Sequence, residues 1–258
     1  MVYGLEKFRE YFSKYSDQYV LIGGAACDLI MENYARPFRA TRDLDLVLLV
    51  EALTPDFGQT FWQFIEDGKY RNKSISSQNP HLFRFDKPEI SGYPYMLELF
   101  SRSAFDLRMP DSSLTPLHFD DSISSLSAIL LNDAYYAMLM NGRVEIDGVR
   151  ILAPAYLIPF KAKAWLDLTS HKRSGFHVDE KDIKKHKNDI VRLSSVLSGN
   201  DTVQIPREVM EDMSDFIREY EQAPADLKSL KIHGITNQQI IDRLKKIYCQ
   251  FPDPPLQQ

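Results

Sequence analysis

Tyr19-Val-Leu-Ile-Gly-Gly-Ala-Ala-Cys27, joined further on by Thr41-Arg-Asp-Leu-Asp-Leu-Val47, is the stretch that decides how this chain folds. Tyr19 to Ile22 is a short apolar run that reads as a buried strand, and Gly23-Gly24 breaks it. From Ala25 to about Tyr34 the composition favours helix, so the unit is strand, glycine turn, helix. Such a turn brings the N–H groups of a helix N-terminus close to a phosphate with no Cβ in the way.

The loop Arg36-Pro-Phe-Arg-Ala40 carries two cations and feeds a strand expected over Asp43 to Val50. Side chains alternate along a strand, so Asp43, Asp45 and Val47 share one face and Leu44, Leu46 and Leu48 the other. Two like charges that close in an apolar strand are costly unless a cation joins them. His81 to Phe85 and Tyr95 to Phe100 read as the two strands of a hairpin, with Lys87-Pro88 and Ser91-Gly92 as turn residues. Within the second strand Glu98 is a lone carboxylate among Met96, Leu97, Leu99 and Phe100, and it needs a partner.

Outward from this core, residues 3 to 17 and the segment after Thr54-Pro-Asp56 have the apolar spacing of surface helices. Arg71 to Asn79 is polar and reads as a loop. A third strand is expected at Ala128 to Leu131, a short helix at Asn132 to Asn141, and a strand pair over Val144 to Leu152 turning at Asp147-Gly148. Beyond that the pattern becomes helical: Pro154 to about Ser170, a basic loop at Lys172 to Gly175, Asp179 to about Leu197, then helices near Arg207 to Tyr220 and Asn237 to Tyr248. A Pro-rich tail follows at 251–255. The expected organisation is an α/β (α+β) domain over 1–153, a mixed sheet with flanking helices, and a helical domain over 154–258.

With 258 residues and 44% hydrophobic content the chain can bury a large core without disulfides or a structural metal. Two distant cysteines, Cys27 and Cys249, fit a reducing compartment, and the cytoplasm is the expected location. No apolar run approaches the roughly 20 residues that span a bilayer, and no leader pattern is present, so no membrane partner is expected. A net charge of −5 argues against a broadly basic protein, although residues 171 to 187 gather six Lys and Arg. Usually such a run is a solvated face; an RNA end is the ligand that would lay its phosphates there.

The glycine pair followed by Asp43-Leu-Asp45 resembles the signature of the DNA polymerase beta-like nucleotidyltransferase superfamily. Arg39-Ala-Thr-Arg-Asp-Leu-Asp-Leu46 is similar to the form found in AbiEii-type toxin nucleotidyltransferases and their uncharacterised bacterial relatives. Phe160-Lys-Ala-Lys-Ala164 is similar to the family's helical Lys motif and Lys187-Asn-Asp-Ile190 to its later Asp motif, where His186 stands in place of an earlier Asp. The glycine pair lacks the serine some branches carry, which leaves backbone N–H groups as phosphate donors.

The resemblance implies Mg²⁺-dependent transfer of a nucleoside monophosphate from an NTP to an acceptor, with Mn²⁺ as the alternative metal. Asp43, Asp45 and Glu98 are the implied catalytic metal ligands. Gly23, Gly24, Arg42, Lys161 and Asp189 are the implied nucleotide-binding residues, the nucleotide lying between the domains. The implied acceptor is an RNA end such as tRNA, a protein or a small molecule, and the toxin-like motif adds an antitoxin partner and a role in toxin–antitoxin or phage-defence systems.

Each signal has an ordinary counterpart. A Gly-Gly pair is most often a plain tight turn, and Glu98 could be an ion-pair partner of Arg84 or Arg102. Arg42 is balanced between a phosphate contact and a salt bridge, and Asp189 between organising Lys161 and being a helix-surface charge. The rival readings are a non-catalytic nucleotide-binding or protein-interaction module of the same fold, and an NTP hydrolase.

Overall fold

The computed structural model describes residues 2–76, 82–102, 115–117, 129–130, 132–198 and 201–249. It divides into two compact units, Met1–Ala153 and Pro154–Gln258.

The first unit is a mixed sheet with helices. Its strands are β1 (Tyr19–Ile22), β2 (Asp43–Leu48), β3 (Tyr70–Ser76), β4 (Leu82–Pro88), β5 (Met96–Ser101), β6 (Thr115–Leu117), β7 (Arg143–Ile146) and β8 (Val149–Leu152). Among the described residues they form one eight-stranded sheet in the order β6-β3-β4-β5-β2-β1-β8-β7. The helices are α1 (Leu5–Phe12), α2 (Gly23–Asn33), α3 (Pro55–Asp67) and α4 (Asp133–Asn141). β2 lies between β1, antiparallel to it, and β5, parallel to it. A strand flanked on both sides is forced to be apolar, which is why the carboxylates of β2 stand out.

Register fixes which side chains share a face. Leu44, Leu46 and Leu48 of β2 align with Leu97, Leu99 and Ser101 of β5, and Phe83 and Phe85 of β4 continue the row. Phe85 packs edge-on against Phe61 and Trp62 of α3, and Phe8 of α1 packs edge-on against Phe64 of α3 and Tyr19 of β1. This aromatic layer covers one face of the sheet. Alternation therefore places Asp43, Asp45, Glu98 and Arg84 on the other face.

Three expectations need correction. Tyr70–Ser76 is strand β3 and not a loop, with residues 77–79 outside the described residues. Its side chains make polar contacts, Asn72 to Asp86 of β4 at 2.6 Å and Arg71 to Glu89 just beyond β4 at 2.9 Å, so it lacks the apolar alternation that marks a strand. Ile129–Leu130 is helical, while Ala128 and Leu131 lie outside the described residues. The expected basic loop begins too early, because α5 (Pro154–Arg173) includes Lys172 and Arg173. The expected turn is present between β7 and β8, where Asp147 and Gly148 both take positive φ, 49° and 74°, as a two-residue hairpin requires. His81 and the tail at 251–255 lie outside the described residues.

The second unit contains α5, α6 (Glu180–Ser194), α7 (Arg207–Gln222) and α8 (Asn237–Tyr248). α6 and α8 start on side-chain caps, Asp179 and Thr236, and Thr236 forms a capping box with Gln239. α5 carries Pro159 in its interior. Proline has no N–H for the carbonyl four residues back, that of Ala155. The Tyr248 hydroxyl of α8 donates to that oxygen at 2.7 Å and supplies the missing bond. Among the described residues no helix is long and apolar enough to cross a membrane.

Candidate functional site

The first unit brings together Gly23, Gly24, Asp45 and Glu98. Asp45 and Glu98 face each other directly across the parallel β2–β5 pair. Gly23 opens α2 with φ +67°, a conformation that L side chains resist. A Cβ there would lie 1.7 Å from Asp45 Oδ2. The glycine is thus needed twice, once for the turn and once because the carboxylate occupies the space beside it. The N-terminus of α2 and the Asp45 carboxylate therefore share one site.

Glu98 is buried, 4% exposed, and its Oε1 accepts from Arg84 Nε at 2.8 Å and Nη2 at 2.6 Å. Burial first, then the charge of Asp45, pushes the Glu98 carboxyl up to about 8, against the opposing pull of Arg84. Of the two ion-pair partners the sequence offers, Arg84 takes Glu98, and Arg102 pairs with Asp133. Arg84 is thus bonded to Glu98, with the Asp45 carboxylate beside it across the strand pair. Asp43 is on the same face, half-buried.

Gly24 makes room for a pair that sequence spacing does not reveal. A Cβ on it would stand 3.0 Å from both Arg39 Nη2 and Thr41 Oγ1. Arg39 Nη1 donates to Thr41 Oγ1 at 3.4 Å. The loop 36–40 carries two cations, and its spacing alone does not say which one folds back over the glycine turn. Arg42 is exposed and lines a cleft of about 390 Å³ with Tyr3, Glu89, Tyr93 and Tyr95.

In the second unit Lys161 and Asp189 meet. Lys161 Nζ donates to Asp189 Oδ2 at 3.0 Å, and both are buried, at 5% and 1% exposure. Asp189 therefore is no helix-surface charge. Lys163, two residues on, points elsewhere and reaches Asp212 at 3.2 Å and Asp167 at 3.5 Å.

For a divalent metal, the donors of the first unit fit in kind: carboxylate oxygens are the hard ligands that Mg²⁺ takes. Glu98, its pKa raised by burial and then by the charge of Asp45, lies beside a second carboxylate, an arrangement that a cation would relieve. As the side chains stand, no group of three His, Cys, Asp or Glu among the described residues closes into a metal cage.

Neither a protein-family model nor a curated protein matches the chain. Among solved structures, a Megavirus polyadenylate synthase aligns with 85% of this chain at 11% identity and a TM-score of 0.43. The chain spans 36% of that protein's length, and a likeness this slight assigns no family.

Proposed function

We propose that the first unit is a nucleotidyltransferase centre, which uses a metal-bound NTP as donor and releases pyrophosphate. The observation that carries the reading is the packing of Gly23 against Asp45, where a Cβ would lie 1.7 Å from the carboxylate oxygen. It sets helix-terminal N–H groups, which attract phosphate, beside carboxylates, which attract the phosphate's metal. Few ligands other than a metal–phosphate complex want both.

In this reading Asp43 and Asp45 would hold the Mg²⁺, which when bound neutralises phosphate charge. Gly23 and Gly24 admit the phosphates to the start of α2, and Arg39, lodged over Gly24, adds a cation at the same edge. The acceptor hydroxyl attacks the α-phosphorus, the bond to pyrophosphate breaks, and Glu98 in its ionised form receives the acceptor's proton. Glu98, tied to Arg84, orients Asp45 and adjusts the charge of the pair. Arg42 is carried forward as a phosphate contact on the resemblance alone, as are Lys161 and Asp189 in the helical unit. The acceptor proposed first is an RNA end such as tRNA, with a toxin–antitoxin setting as the context the sequence motif suggests.

One observation favours a second reading. The doubly bonded Arg84–Glu98 contact is what a purely structural ion pair would look like, as in a non-catalytic module. Incubation with α-³²P- and γ-³²P-labelled NTPs, Mg²⁺ and bulk tRNA separates the alternatives. Label transferred from the α position supports the proposal, γ-phosphate release alone identifies a hydrolase, and no turnover with any acceptor leaves the module. Asp45→Asn is expected to lower transfer by at least about a hundredfold, as loss of a metal ligand does.

A further inference from the structure

The helical unit contains a cavity of about 720 Å³ at residues that none of the chemistry above employs. Its apolar wall comes from Trp165 of α5, Ile183 of α6 and the Pro224-Ala225 segment that follows α7. Lys172, Lys181, Lys184 and Lys187 also line it, against two acidic residues, Glu180 and Asp226. Both acids are engaged: Glu180 accepts from Lys172, and Asp226 Oδ1 accepts from the backbone N–H groups of Lys228 and Ser229. Lys181 and Lys184 form no ion pair with any described residue.

Two further facts point to a ligand. Trp165 is 7% exposed, and neither its Nε1 nor Thr169 Oγ1, on the same lining, has a hydrogen-bond partner among the described residues. A buried N–H without an acceptor is costly, so these two groups leave the protein around the cavity short of acceptor atoms. Lys187, partly buried and held by the Ala223 carbonyl at 3.1 Å, has its pKa lowered by burial and then by the charge of Lys184. The cavity wall therefore carries cations in excess, and part of that excess is poorly solvated.

We propose that this cavity binds a nucleotide, its planar ring against the Trp165 and Ile183 wall and its phosphate among Lys181, Lys184 and Lys187. The size suits such a ligand, since small-molecule sites run to several hundred cubic ångströms. A bare phosphate would leave the apolar wall wet. An acidic peptide would satisfy the lysines but not the ring-sized wall with its buried N–H and hydroxyl donors. The nucleotide has two sources, a free mononucleotide or the terminal nucleotide of a single-stranded RNA. The proposal rests on the helical unit's own residues and not on the carboxylate chemistry of the first unit.

The test is binding to the full chain carrying Asp45→Asn, so that catalytic turnover plays no part in the result. AMP, GMP, CMP and UMP, a six-nucleotide RNA, inorganic phosphate and a poly-glutamate peptide are titrated at physiological salt, with heat or tryptophan fluorescence as the signal. At least one mononucleotide or the RNA is expected to bind more tightly than phosphate or the peptide. The double reversal Lys181→Glu/Lys184→Glu is expected to weaken it at least tenfold. Lys185→Glu, an exposed residue of the same helix outside the cavity lining, is expected to leave it unchanged. Trp165→Phe is expected to remove the fluorescence response while circular dichroism stays that of the parent.

Binding by a mononucleotide identifies a free-nucleotide site, and binding by the RNA alone identifies an RNA-end site. No binding, equal binding by the double reversal, an equal loss in Lys185→Glu, or equal competition by phosphate or poly-glutamate overturns the proposal. Failure of α-label transfer in the parent protein, with binding here intact, would overturn only the proposed catalytic reading.

Discussion

At Gly23 a single hydrogen in place of a side chain admits the Asp45 carboxylate. Gly23→Ala meets both a positive φ and a Cβ position 1.7 Å from Asp45 Oδ2, so the carboxylate or the helix start must move. Its expected cost is at least about 2 kcal/mol by thermal or denaturant unfolding, with catalysis lost. Gly92→Ala also stands at positive φ, +86°, but has nothing within 4 Å, so it should cost about 1 kcal/mol and spare the site. Glu98 gives a pH signature. Its folded pKa of about 8 lies above the ordinary carboxylate value, so between the two the folded state holds a proton that the unfolded state has released. Stability contributed by this group must then fall as pH rises from about 5 to about 8. Chemical denaturation in EDTA should record that slope, and Glu98→Gln should flatten it. The sequence made Asp45 and Glu98 conspicuous because charge in an apolar strand is conspicuous. It could not show that they face each other, which depends on the pairing of β2 with β5, nor that Arg84 arrives from β4.

Among the elements, those with a strong apolar rhythm were legible: β1, β2, β5, α3 and the helices of the second unit all lie close to where periodicity puts them. β3 was not, because its stabilising contacts are polar, and a strand held by Asn72–Asp86 and Arg71–Glu89 looks in sequence like a loop. β6, three residues long and parallel to β3, has too few residues for any period to register. The α5–α6 pair supplies the test at this scale. Lys161 and Asp189 are a buried ion pair, and removing one partner takes the opposite charge away from the other, so Lys161→Met or Asp189→Leu alone should cost about 3–5 kcal/mol. The double replacement Lys161→Met/Asp189→Leu should recover most of that loss in urea unfolding. If the recovered protein also regains nucleotidyl transfer, the pair serves packing only; if it stays inactive, Lys161 serves the nucleotide as proposed.

For the whole molecule, the contacts that close each of the units Met1–Ala153 and Pro154–Gln258 could not be read from sequence. Pro159 is the example. The helix expected over Pro154 to about Ser170 runs through it, and what the sequence did not show is that Tyr248 donates to the orphaned Ala155 carbonyl. Tyr248→Phe should therefore cost about 1–3 kcal/mol in unfolding measurements. Replacing Pro159 by Ala in that variant restores an N–H and should return part of the loss, a coupling that a double-mutant cycle reads directly. The bond spans 93 residues of chain, and that span bears on the order of events during synthesis. A nascent chain that has made α5 alone leaves that carbonyl to water until Tyr248 has emerged. The first helix of the unit is thus completed by its last, and the helical unit is expected to fold in one late, all-or-none step, with no helix-by-helix accumulation along the way.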